Sequence, residues 1–211
     1  MTNAITVADL QRQLNLECGE ADLLFLRDKI AAATATVESY MGEPNGAAHA
    51  SGTITFGPLV TTDDVTLSGL TFEAITTGPT LDTQFLIGST PAATAANLLA
   101  AIEAYIDANA DSADLLAGAS YTLDGAVLTI KAAEIGTEGN AFTLATTAAG
   151  VTLSGPTLTG GAYPPAPIAE AVRQLAAHLF ENREASIVGV TANEIPFGVF
   201  DLLTPYRAWA F

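Results

Sequence analysis

The chain has 211 residues, 49% hydrophobic and 14% charged, a composition that supports a packed core and excludes a disordered polymer. Acids outnumber bases 23 to 7, and the net charge of −16 repels phosphate backbones, which argues against sequence-reading nucleic-acid binding. Cys18 is the single cysteine, so no intrachain disulfide can form; the opening MTNAITVADLQRQL is not a signal peptide, and no apolar run of about 18 residues exists to span a membrane.

The first predicted element is a short helix over Val7–Leu14. Thr6 is placed to cap it, with Asp9 three residues on to meet the free N–H groups of the first turn. A second helix is predicted over Glu20–Met41. There Leu23, Leu26, Ile30, Ala33, Val37 and Tyr40 recur at three- and four-residue spacing and form one apolar stripe. Glu20 and Asp22 favour its N-terminal end, Gly42 suits the position just past its C-terminus, and Pro44 blocks continuation.

From Ala47 to about Ala162 the texture changes to Thr, Gly, Ala and Val. This stretch holds eleven acids and one base, Lys131, and so carries −10 of the net −16. Strands are predicted at Gly52–Phe56, Val65–Leu67, Thr71–Ile75, Gln84–Ile87, Tyr121–Leu123, Val127–Lys131, Phe142–Thr146 and Val151–Leu153. Ser68-Gly69 and Asp124-Gly125 are turn dipeptides between alternating runs and predict two hairpins. One helix, from about Ala92 to Ala108, interrupts the strands and gathers Leu98, Leu99, Ile102, Tyr105 and Ile106 on one face. The order predicts a small domain with a helix packed on a mainly antiparallel sheet. The string VTLSG occurs at 65–69 and again at 151–155, which is too few copies for a solenoid and reads as two similar strand ends.

Helical texture returns after Gly160-Gly161 and Pro164-Pro165-Ala166-Pro167. A helix is predicted over Pro167–Glu184, with Ile168, Val172, Leu175, Ala176, Leu179 and Phe180 on one face and Pro167 in its first turn. A short extended piece at Ile187–Val190 and a short helix near Phe197–Leu203 follow, before Pro205 and an aromatic tail. Segments 1–46 and 163–211 are each too short for a core of their own. They are expected to pack together as one discontinuous helical domain, split by a β-rich domain inserted over 47–162. The expected fold class is α+β.

Catalysis needs converging polar groups, and no motif here assembles them. His49 sits in an Ala/Gly-rich linker, His178 in a helix, and Cys18 in a polar connector with nothing to activate its thiol. Ser154 and Ser186 lack a nucleophile elbow. Asp63-Asp64 and the acids from Asp107 to Asp114 lack the EF-hand ligand spacing, and Ca²⁺ binding by the acidic insert stays open. Gly136, Gly139 and Gly160-Gly161 match no phosphate-binding pattern. No catalytic residue, metal ligand or cofactor is therefore expected. Five of the fifteen aromatic residues, Phe197, Phe200, Tyr206, Trp209 and Phe211, fall in the last fifteen positions. They fold back onto the helices or, the favoured reading, anchor the chain on another protein, with Arg207 adding a charge-assisted bond.

Three groups of strings have a familiar order. They are Thr6-Val7-Ala8-Asp9-Leu10 with Leu14-Asn15-Leu16, then Ala31-Ala32-Ala33 with Val37-Glu38 and Tyr40-Met41-Gly42, and then Glu181-Asn182-Arg183-Glu184 with Ile195-Pro196-Phe197-Gly198 and Leu202-Leu203-Thr204-Pro205-Tyr206-Arg207. Together they resemble the head-to-tail connector (adaptor, or head-completion) family of tailed bacteriophages. The resemblance implies a structural virion protein with no enzymatic activity. It would be an adaptor subunit joining the portal of the head to the tail, made in the bacterial host cytoplasm. It further implies a homo-oligomeric ring of about twelve subunits. Its partners would be the portal protein and a tail-side connector or stopper, with genomic DNA passing through the channel without sequence-specific binding and no membrane involved. Glu181, Arg183 and Glu184 would then form ion pairs within or between ring subunits. The insert departs from the family's much shorter connection. Its Gly139-Asn140-Ala141-Phe142-Thr143-Leu144 and Leu153-Ser154-Gly155 resemble β-rich modules grafted onto phage virion proteins. The alternative function is accordingly a β-rich binding module, for a host glycan or a virion protein, carried on a helical base.

Overall fold

The computed structural model describes residues 2–16, 20–59, 62–109, 116–182 and 197–208. In chain order the elements are α1 (Val7–Leu14), α2 (Glu20–Met41), β1 (His49–Phe56), β2 (Asp64–Leu67), β3 (Leu70–Ile75), β4 (Gln84–Leu86), α3 (Pro91–Ala108), β5 (Ala119–Asp124), β6 (Val127–Ile135), β7 (Leu144–Thr146), β8 (Val151–Leu153), α4 (Ala166–Glu181) and α5 (Phe197–Leu203). They form two compact units, one of residues Met1–Ala48 with Ala162–Phe211 and one of His49–Gly161. The protein is thus α+β, with helices and strands largely segregated.

The first unit is helical. Thr6 caps α1 through a reciprocal pair of bonds: its hydroxyl accepts from the Asp9 N–H (3.2 Å), and the Asp9 carboxylate accepts from the Thr6 N–H (3.0 Å). Asn15, in the left-handed region at φ 52°, ends that helix. Gly42 ends α2 in the same region at φ 77°, its N–H bonding the Glu38 carbonyl at 2.8 Å. One core fills the space between these helices: Leu10 from α1, Leu26, Ile30, Ala33, Val37 and Met41 from α2, Val172 and Leu175 from α4, and Val199 and Leu203 from α5. Asn45, only 2% exposed, pins the chain where it leaves α2. Its Nδ2 donates to the Glu38 carboxylate (2.6 Å) and the Thr2 carbonyl (2.8 Å), and its Oδ1 accepts from the Ala47 N–H (2.7 Å). Ala48 and Ala162 exchange backbone bonds of 2.9 and 3.0 Å, so the chain leaves and re-enters this unit at adjacent points.

α4 ends at Glu181, three residues short of the predicted Glu184. Asn182 has non-helical angles (φ −103°, ψ 70°), and its side chain donates to the His178 carbonyl at 2.9 Å, competing with continuation of the helix. The predicted extended piece at Ile187–Val190 lies outside the described residues.

The second unit holds two four-stranded sheets, ordered β5-β6-β1-β8 and β4-β3-β2-β7, where the sequence predicts one. Every pairing is antiparallel except β3 with β4. Ile54 and Leu128 of the first sheet, Leu67, Phe72 and Phe85 of the second, and Leu98 and Ile102 of α3 bury into one shared core. α3 starts at Thr90, whose hydroxyl accepts from the Ala93 N–H at 3.1 Å, with Pro91 in the first position.

Both hairpins form, with different turns. Ser68 (φ 49°) and Gly69 (φ 87°) join β2 to β3, both in the positive-φ region that a type I′ two-residue hairpin requires. Between β5 and β6, Asp124 pairs with Val127, so the loop is Gly125-Ala126 rather than Asp124-Gly125. Gly125 alone takes a positive φ (57°), and glycine is the residue that tolerates it. The two VTLSG copies end in different structures. Ser68 turns a hairpin in one sheet, whereas Ser154 extends the ladder of the other, exchanging bonds of 2.9 Å with Thr53.

Candidate assembly surface

The residues singled out for partner binding belong to the end of the helical unit. α5 presents Val199 and Leu203 to the core, and this orientation leaves Phe200 half-buried beside α2. The Phe200 ring lies 4.8 Å from that of Tyr40, inclined at 51°. Thr204 bonds back to the Phe200 carbonyl at 3.0 Å, and a turn of 3₁₀ helix over Thr204–Tyr206 follows. That turn brings the Arg207 guanidinium over the Tyr40 ring, 5.1 Å from its centre. The Ala208 N–H then caps the Met41 carbonyl at the end of α2 (2.7 Å). Phe200 and Arg207 are therefore brought together around Tyr40, and Tyr206 packs against the helical core. Beside them an open groove of about 480 Å³ is lined by Ala35, Thr36, Ser39, Tyr40 and Phe200.

Trp209 and Phe211 lie outside the described residues, as does the side chain of Phe197, which begins α5. Glu181 is the exposed last residue of α4; Arg183 and Glu184 lie outside the described residues. Ion pairs among the described residues include Arg12–Asp9 and Arg173–Glu170, both one helical turn apart. The second carries weight the sequence reading missed: the Glu170 carboxylate also accepts from Gln174 at 2.9 Å, so three side chains of α4 are tied together. Tyr40 was missed as well. It was assigned to the apolar stripe of α2, and its place in the string Tyr40-Met41-Gly42, at the end of that helix, was the available signal. Leu24 adds a large apolar side chain, 63% exposed, to the surface of α2.

Nothing among the described residues converges as an active site would. His49 lies in β1 rather than in a linker, its Nδ1 2.9 Å from the Ala132 carbonyl, and the Nδ1 of His178 is 3.2 Å from the Asn182 amide. Cys18 lies outside the described residues. Among those described, no three His, Cys, Asp or Glu side chains gather as metal ligands, and no helix is long and apolar enough to cross a membrane.

The sequence profile of the family described as "Phage gp6-like head-tail connector protein" matches residues 99–207, just over half of the chain. The chain belongs to the phage gp6-like head-tail connector family. Its role is therefore that of a structural head-tail connector of a phage-like virion. The matched span runs from inside α3 through β5–β8 to α4, α5 and Tyr206-Arg207. Of the three groups of strings, the third falls within it, and the two carried by α1 and α2 fall before it. No curated protein matches the connector. Among solved structures, a chain from "Neck of empty GTA particle computed with C6 symmetry" is similar over 99% of this chain and 91% of its own, at 19% identity and a TM-score of 0.36.

Proposed function

We propose that this connector is the adaptor subunit of the neck: copies assemble as a ring beneath the portal of the head, and the genome passes through the centre toward the tail. The observation that carries this reading is the family match over α4, α5 and the Tyr206-Arg207 turn, the part of the helical unit that gathers Phe200 and Arg207 on Tyr40. Aromatic residues beside an arginine are the usual anchors of protein interfaces. The surface formed by the groove, Phe200 and Arg207, continued by Trp209 and Phe211, is the contact to the portal or to the neighbouring subunit. Glu181, Arg183 and Glu184 supply ion pairs within or between subunits. The net charge of −16 suits a channel wall past which DNA slides without adhering. Ring contacts that are modest in isolation become strong on a template, because the portal raises the local concentration of subunits. A homo-oligomer of about twelve copies, a tail-side connector or stopper as the second partner, and production in the bacterial host cytoplasm complete the reading.

Light scattering of the connector with and without purified portal tests it. At micromolar concentration the mixture should form a joint complex larger than either component. Absence of such a complex would overturn the adaptor assignment.

A further inference from the structure

The β-rich unit carries a groove that the connector role does not use. It lies between the loop that precedes β4, the strand itself and α3, with a volume of about 340 Å³. Its rims are Leu81, 61% exposed, and Leu86, 37% exposed, two of the four exposed large apolar side chains among the described residues. α3 contributes Asn97 and the methyl groups of Ala100, Ala101 and Ala104, and the buried Phe85 of β4 completes the lining. An apolar trough edged by exposed leucines is a surface that another molecule covers.

The rim is held in place. The Gln84 side-chain carbonyl accepts three bonds from the loop: the Thr80 N–H (3.1 Å), the Thr80 hydroxyl (3.1 Å) and the Leu81 N–H (3.3 Å). The Gln84 amide in turn donates to Glu73 on β3 at 3.0 Å. Across the groove, the Asn97 amide donates to the Leu86 carbonyl at 2.8 Å and fixes α3 against β4. Leu81 is thus presented by a bonded loop, and a partner need not supply the entropy of ordering it.

We infer that this groove docks an extended peptide segment of another protein that carries leucine-like side chains flanked by Lys or Arg. Charge complementarity selects the cations. The unit holds eleven acids and a single base, Lys131. Asp82 lines the groove, and Glu103 and Asp107 are exposed on the same helix as Ala100 and Ala104. No base lines it. An extended segment suits the trough beside β4, an edge strand paired only with β3; because the Gln84 N–H already bonds the Leu81 carbonyl and the Leu86 carbonyl already accepts from Asn97, the segment is held mainly by its side chains. A glycan fits less well: sugar rings stack on exposed aromatic faces, and the one aromatic ring lining this groove among the described residues, Phe85, is buried.

The inference does not rest on the adaptor reading, and the experiment keeps them apart. The ¹⁵N-labelled full chain is titrated with the capped peptide Gly-Lys-Leu-Lys-Leu-Lys-Gly and with its Glu-for-Lys counterpart, at about 0.15 M salt to screen diffuse attraction. The basic peptide should shift the amides of Leu81, Leu86, Ala100 and Ala104, and the acidic one should not. Leu81→Lys and Ala104→Arg, both at exposed positions, should each raise Kd about tenfold or more while the melting temperature stays put. Both variants should still join the portal. The inference is overturned by three outcomes: no shifts, shifts spread over the acidic surface that survive both substitutions, or shifts at these residues produced by a second copy of the chain or by a sugar panel instead.

Discussion

The two units differ in where their charge and their contacts come from. The helical unit holds six of the seven bases against twelve acids, whereas the β-rich unit has one base against eleven. The helical unit is ordered first by local rules: caps at Thr6, Asn15 and Gly42, and apolar stripes one helical turn apart. The β-rich unit is ordered by distant partners, as in the bond between Thr53 and Ser154, 101 residues apart in the chain. Specific cationic contacts are thus available almost only to the helical unit. Ala48 and Ala162 pair where the chain leaves and re-enters the helical unit, and we propose on that ground that the β-rich unit is a separate folding body.

The sharpest way to break this comparison is to damage one core at a time. Phe72→Ala, which empties a fully buried site in the β-rich unit, should cost that unit about 3–5 kcal/mol, and Leu26→Ala should cost the helical unit about 2–5 kcal/mol. Calorimetry should show each substitution lowering one transition and sparing the other. A single transition lowered equally by both would mean the cores are one cooperative body.

Removing the insert comes next in size. Replacing residues 49–161 with a short Gly/Ser linker should leave a helical protein that melts cooperatively by circular dichroism, because the new loop closes a gap already bridged by hydrogen bonds. An aggregated or molten product would contradict the independence of the helical unit.

Asn45→Ala should be milder, about 1–3 kcal/mol, since it leaves the Thr2 carbonyl without this donor and Glu38 with the backbone N–H of residue 45 but not the side-chain amide. Thr6→Ala should cost about 1 kcal/mol through loss of the α1 cap. Arg12→Ala removes an exposed pair with Asp9 and should change stability by less than about 0.5 kcal/mol. Chemical denaturation of the three variants checks that order; an Arg12→Ala effect larger than that of Asn45→Ala would contradict it.

The same contrast explains what could be read from the amino acids alone. Val7–Leu14 and Glu20–Met41 were legible to the residue because their caps and stripes are local. The end of α4 was not, because the Glu181-Asn182-Arg183-Glu184 run has good helix formers, and only the Asn182 side chain's bond to His178 shows where the helix stops. All eight strands were visible as alternating runs, but their division into two sheets and the parallel β3–β4 pair were not. Pairing is chosen by burial of residues such as Ile54 and Phe85, far apart in the chain, in one core. Phe200, Tyr206 and Arg207 were legible as an aromatic, cationic cluster. The point where Phe200 and Arg207 meet, Tyr40, lies 160 residues from Phe200, and no local pattern reports it. The groove beside β4 is not legible because its alanines look like ordinary helix formers until Leu81 of the preceding loop and Leu86 of β4 face them.

The most direct test of the adaptor reading is electron microscopy of the full chain mixed with purified portal. The account predicts a second ring, with an open central channel, stacked coaxially on one end of the portal, and its loss when Phe200→Asp and Arg207→Glu are introduced together. Portal rings that stay bare at micromolar connector, or a second ring that persists unchanged with that double substitution, would contradict it.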